Sequence, residues 1–134
     1  MKILTVPPAY VHEKWHLVEG FLADALRHSS GDYTVEHARV YLAEGNWMLL
    51  IAEQDGRVCG AAAVQFFNRP TARVAFVVAM GGHLVTDENS LVGLKAACKE
   101  WGATRIECAA RESTARLFGR VGFVEKYKIM EVPV

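Results

Sequence analysis

The chain lacks any excess of charge: 15 Lys and Arg balance 15 Asp and Glu over 134 residues. No global field is available to draw in DNA, RNA or an anionic membrane, so no nucleic-acid partner is expected. Cysteine is scarce. Cys59, Cys98 and Cys108 are odd in number and lack metal-type spacing, and each sits among apolar or small residues. They read as buried free thiols, which suit a reducing cytoplasm better than a disulfide-stapled secreted domain. Long apolar runs are missing as well. The most apolar stretch, Val74 to Met80, is far short of the about 20 residues a membrane helix needs. The opening MKILTVPPAY has too short an apolar run for a signal peptide and is interrupted by Pro7-Pro8. A cytoplasmic location without a membrane partner is the expectation. A P-loop, a dinucleotide glycine fingerprint and a nucleophile triad are also lacking.

What is present is an ordinary globular balance, 51% apolar and 22% charged, in a length that suits one domain over residues 1–134. Lys2 to Val6 can form a short strand that stops at the proline pair. Val11, Trp15, Val18, Leu22 and Leu26 then recur at steps of three and four, the stripe of an amphipathic helix. Thr34 is placed to cap a second helix, carrying Ala38, Tyr41 and Leu42 inward and stopping at Gly45. Trp47 to Glu53, the Asp55-Gly56 turn, Val58 to Phe67, and Arg73 to Met80 read as three antiparallel strands, with Gly81-Gly82 breaking the third. After a polar loop, Leu91, Leu94, Cys98 and Trp101 mark a helix closing on Gly102. Thr104 to Ala109 is a strand with Ile106 and Cys108 on one face. Glu112 to Phe118 fits a short helix, and Phe123 to Val132 a last strand. The tryptophans fall on apolar stripes or at a strand start and read as core. His12 and His16 share a helical face at a chelating spacing, with no third ligand suggested, so they read as surface histidines.

This β-α-α-β-β-β-α-β-α-β order resembles that of the Gcn5-related N-acetyltransferase (GNAT) superfamily. One segment makes the likeness specific. Many members carry a pattern like N-x-x-A-x-x-L-Y-x-x-x-G-F before the last long strand. The run from Arg111 to Phe123 follows it in Leu117, in the aromatic Phe118 and in Gly122-Phe123. In that pattern Leu117 and Phe118 pack the helix on the sheet, and Gly122 permits a tight reversal. The opening VPPAYVHEKW and the double glycine also resemble short GNAT-like proteins of phages and prophages, which would place the chain in a host cytoplasm. The resemblance implies an α+β fold with a GNAT-like mixed, mainly antiparallel central sheet flanked by helices.

It also implies acetyl-CoA, or another acyl-CoA, in a V-shaped opening between the fourth and fifth strands. An amine acceptor, small molecule or protein, would attack the thioester directly. Backbone groups of Val78, Ala79, Met80, Gly81 and Gly82 would hold the pantetheine arm. The loop through Asn89 and Ser90 would meet the pyrophosphate at a helix start. Arg111 and Arg116, with Arg120 nearby, suit the oxygens of a phosphate or form a solvated helix face. Phe118 stands where many members have a tyrosine that protonates the departing thiolate. His83 is the candidate base, ahead of Glu53 beside the hairpin. The loop itself departs from the usual Arg/Gln-x-x-Gly-x-Gly/Ala form, because Asp87 and Glu88 place negative charge where pyrophosphate belongs. Those acids are good helix-start residues. The alternative is therefore a non-catalytic GNAT-fold protein that binds a protein partner, in phage assembly or host takeover. The last strand could also pair across a two-fold, which leaves a homodimer open.

Overall fold

The computed structural model describes residues 1–134, with the side chain of Thr86 outside the description. Strand β1 (Lys2–Val6) leads through a single 3₁₀ turn at Pro8–Tyr10 into helix α1 (Val11–Arg27), followed by α2 (Val35–Ala43). The apolar stripe predicted for α1 is its buried face: Val11, Trp15, Val18, Leu22 and Leu26 are all buried. Thr34 caps α2 as its position suggests. Its side chain accepts from the His37 N–H, and the His37 ring accepts from the Thr34 N–H, a reciprocal capping box. His12 faces this helix too, its Nδ1 accepting from Arg39 Nε at 3.0 Å.

Strands β2 (Trp47–Gln54), β3 (Arg57–Arg69) and β4 (Ala72–Gly82) form an antiparallel meander. The β2–β3 turn places Asp55 at φ 52° and Gly56 at φ 76°, the paired left-handed conformations that an Asp-Gly hairpin supplies. A short helix α3 (His83–Thr86) occupies part of the expected polar loop, followed by α4 (Ser90–Glu100), β5 (Arg105–Cys108) and α5 (Glu112–Arg120). Strand order is β1-β2-β3-β4-β5, with β5 parallel to β4 and the other pairs antiparallel. This is the mixed, mainly antiparallel α+β sheet the sequence implies.

The sheet is buried on both sides, which explains the unbroken apolar run of β2. Trp47, Leu49 and Ile51 face α1 and α2, whereas Met48, Leu50 and Ala52 face α4. Alternation along one strand thus feeds two cores. Two expectations fail at the C-terminus. Phe123 to Val132 forms no strand, and Leu117 is exposed while Phe118 alone of the pair is buried. Pattern and β-propensity favour a strand there, but a strand is made only by a ladder, and the segment joins none.

The β5 edge is pinned by an ion pair. The Arg69 guanidinium grips both carboxylate oxygens of Glu107, with Nη2 3.0 Å from Oε1, and Arg105 approaches the same carboxylate at 3.4 Å. Hydrogen bonding from Arg69 holds the Glu107 carboxyl below its ordinary range, against the opposing effect of burial. A carboxyl depressed in the folded state contributes stability above its unfolded pKa, and that contribution is lost as pH falls through the folded value. Glu107→Gln should therefore lower stability at neutral pH by up to about 1 kcal/mol. The difference from wild type should vanish under acid conditions, as read from urea midpoints at both pH values.

Candidate functional site

Strand β4 belongs to two ladders, and they do not end together. On β5 its pairing stops at Val77, opposite Cys108. On β3 it continues to Gly82, opposite Gly60. The register against β3 shifts at the same place: Val77 faces Val64 while Ala79 faces Ala63. Val78 is thus an extra residue with no partner on either neighbour, a β-bulge at the point where β4 leaves β5. The bulge shows in the packing, because Val78 and Ala79 both turn toward the α1 side and Val77 and Met80 toward the α4 side. The result is a fork in the sheet beginning at Val78.

Beyond the fork, glycines let three backbones converge. A Cβ on Gly81 would lie 2.7 Å from the carbonyl oxygen of Phe21 in α1. One on Gly82 would lie 2.3 Å from the carbonyl oxygen of Cys59 and 2.8 Å from the Gly60 Cα. Gly82 also has φ 68°, a backbone conformation side chains seldom adopt. The double glycine does not break β4, as the sequence suggests, but continues it to its last residue against α1.

On the α4 side the fork holds a cavity of about 10 Å³, close to the minimum for one water. Met80, Ser90 and Phe118, each expected at the site, line it together. So do Leu84, Asp87, Leu91 and Leu94, as well as Val121 and Phe123 just after α5. Phe118 and Phe123 stack at a tilt, ring centres 5.4 Å apart. The other expected residues lie elsewhere. Val78 and Ala79 present backbone to the fork and side chains to the opposite core. Gly81 and Gly82 serve the α1 contact. His83 is exposed at the first position of α3, and Arg111 just before α5 and Arg116 on it are exposed, outside the cavity lining. Glu53 lies at the far end of β2, near the hairpin.

Just ahead of α4 a carboxylate accepts a backbone donor. Asp87 Oδ1 accepts from the Asn89 N–H at 2.8 Å, and the Ser90 N–H bonds the Asp87 carbonyl at 3.0 Å. Ser90 itself is buried, its hydroxyl 3.5 Å from the His83 carbonyl. The sequence suggests Asp87 and Glu88 as helix-start residues, but the first turn of α4 holds no acid and its N-cap, Asn89, makes no side-chain capping bond; Asp87 closes the turn that precedes the helix instead. Sequence reasoning missed Leu84, Val121 and Phe123 as lining residues. Phe123 had a signal in the Gly-Phe pair, but Leu84 had none beyond being the one large apolar residue between Met80 and Val85.

Two thiols border this region. Burial pushes both Cys98 and Cys108 up to about 11, with the neighbouring Glu107 carboxylate adding to the effect at Cys108. Both stay protonated and inert at neutral pH. Among the described residues no group of three or more His, Cys, Asp or Glu could hold a metal ion. Nor, among them, is any helix long and apolar enough to cross a membrane.

A five-stranded mixed sheet flanked by helices matches the architecture of GNAT-like structures. Solved structures carry the same architecture. A ribosomal-protein-alanine N-acetyltransferase from Brucella melitensis biovar Abortus 2308 superposes with TM-score 0.67 at 14% identity, over 100% of both chains. A predicted acetyltransferase from Clostridium acetobutylicum, solved with acetyl-CoA, gives 0.67 at 17% identity, over 98% of this chain and 95% of that one. An aminoglycoside acetyltransferase from an uncultured soil metagenomic sample, in complex with trehalose, gives 0.70 at 10% identity, over 99% and 94%. At such identities the likeness is one of fold. No protein-family model and no curated protein sequence matches the chain.

The glycine seam yields a test. Gly82→Ala forces a Cβ into the Cys59 carbonyl at a left-handed φ, and should cost at least about 2 kcal/mol. Thermal unfolding should show a loss of roughly 8 °C or more. Gly119→Ala, where a Cβ meets nothing within 4 Å, should lose none.

Proposed function

We propose that the chain is an acyl-CoA-dependent N-acyltransferase that takes an amine acceptor. The observation that carries this reading is the bulge at Val78, set where β4 parts from β5. A bulge leaves backbone groups outside the ladder. A fixed amide N–H at the mouth of an apolar fork is suited to polarise a carbonyl oxygen, since its orientation requires no reorganisation during reaction. Acyl-CoA would bring the activated acyl group. This chain's share would be to orient the acyl carbonyl at Val78, to exclude water with Leu84, Phe118 and Phe123, and to bring the acceptor close. Phe118 has no proton to give a departing thiolate, which leaves a weaker catalyst by about 10²–10⁴-fold where a general acid is usual.

The residues fit the two halves of an acyl-CoA unequally. The fork and its bulge suit the thioester arm, although the cavity must widen to admit it. The helix start suits the pyrophosphate poorly, because the Asp87 carboxylate already accepts the Asn89 N–H and repels a second anion. That observation favours a second reading, a GNAT-fold protein kept for binding a protein partner with its fork closed.

Calorimetric titration with acetyl-CoA separates the two. The acyltransferase reading expects saturable binding, and it expects Asp87→Asn to tighten that binding about tenfold as roughly 1.4 kcal/mol of repulsion is relieved. Asparagine serves equally well at a helix start, so stability should hold. Phe118→Tyr should raise turnover with an amine acceptor by at least about tenfold. No heat with either the wild type or Asp87→Asn at millimolar cofactor would sink the acyltransferase reading and leave the binding protein.

A further inference from the structure

Helix α2 is short and lightly anchored. It has nine residues, of which Ala38 and Leu42 alone are buried, and a helix of that length does not persist in water by itself. Two histidines hold it, and each does so as an acceptor. At its N-terminus the His37 Nδ1 accepts from the Thr34 N–H at 3.1 Å, the returning half of the capping box. At its middle the Arg39 Nε donates to the Nδ1 of His12 in α1 at 3.0 Å. The same guanidinium lies over the Trp15 ring, 5.5 Å from its centre. An imidazole accepts only through an unprotonated nitrogen, and a protonated ring has donors alone. A second proton on either ring must go to the nitrogen already engaged, so the bond and the charge exclude each other. Both histidines are exposed, and protons reach them freely.

We propose that α2 is a pH-operated latch, fastened to α1 and capped while His12 and His37 are neutral, and released when they take up protons. The surrounding charges reinforce this at His12. Arg39 is the charged group of α2 in contact with it. On α1, His16 lies one turn along the same face with the same titratable ring, and Glu13 and Lys14 beside it in sequence offset each other. The 3₁₀ turn at Pro8–Tyr10, also packed on both helices, offers only the Tyr10 phenol. A positive His37 ring would sit at the positive end of the α2 dipole. Asp32 and Glu36 nearby in sequence soften that effect, and Tyr33 and Tyr41 are the other titratable side chains about it. β2, packed beneath, is apolar from Trp47 to Ala52. Release uncovers the aromatic face under α2: Trp15 below Arg39, and Trp47 stacked on Tyr41 at 4.8 Å. Both bonds need neutral rings, so their contribution is present at higher pH and lost as pH falls through the imidazole range.

Amide exchange of the full chain, read by NMR as protection factors, tests the latch, with α4, which carries no histidine, as the internal reference. Between about pH 7.5 and about pH 5.5 the amides of Ala38 to Ala43 should lose protection at least about tenfold relative to those of α4, each broken bond contributing roughly two- to tenfold. His12→Asn with His37→Gln should abolish that difference. Both amide oxygens accept at either pH, and glutamine is a usual capping-box residue at this position. His28→Asn, at a histidine outside the latch, should leave the difference in place. A wild-type chain in which α2 and α4 lose protection in parallel, or in which neither loses any, overturns the proposal. So does a pH dependence that survives the double variant.

Discussion

Everything distinctive in this molecule depends on one strand serving two ladders that part company. β4 stays hydrogen-bonded to β3 along its whole length but leaves β5 after Val77. Within a regular sheet that divergence would strain the shared strand. The bulge at Val78 accommodates it by bending β4 locally and adding twist. The seam at Gly81 and Gly82 then holds the diverging end against α1 and β3, at separations no other residue would allow. The fork is therefore a product of the fold, made by a register shift on one side and backbone-to-backbone packing on the other.

How the fork is filled sets its chemistry. Leu84 and Phe118 close it to about one water's volume, and the Asp87 carboxylate accepts the Asn89 N–H just ahead of α4. On the proposed acyltransferase reading, that same carboxylate would oppose a pyrophosphate at this end of α4. The basic side chains of α5 stand outside the cavity and reach any ligand only at its outer end. On the proposed acyltransferase reading, proximity and backbone polarisation would be the catalytic resources left to such a site.

The fold was legible in the sequence wherever period and punctuation agreed. The stripe from Val11 to Leu26, the Thr34 cap and the Asp55-Gly56 turn each state a local preference that the tertiary structure keeps. β2 was legible as an apolar run, and the two-sided burial of the sheet accounts for it. Phe123 to Val132 misled because alternation reports what a segment could pair as, and says nothing about whether it finds a strand to pair with. The site was half legible. Glycines and an aromatic marked its place. The bulge at Val78 left no trace in a run of valines and alanines, since it is defined by register against β3. Leu84 was hidden for a similar reason: its role comes from a short helix the sequence does not announce.

Amide hydrogen exchange at Val78, followed by NMR with and without acetyl-CoA, tests the central claim most directly. If β4 carries an amide outside both ladders at the fork, Val78 should exchange faster than Val77 and Ala79 in the free protein and slow on addition of the cofactor. Protection equal to that of its neighbours, unchanged by acetyl-CoA, would contradict the account.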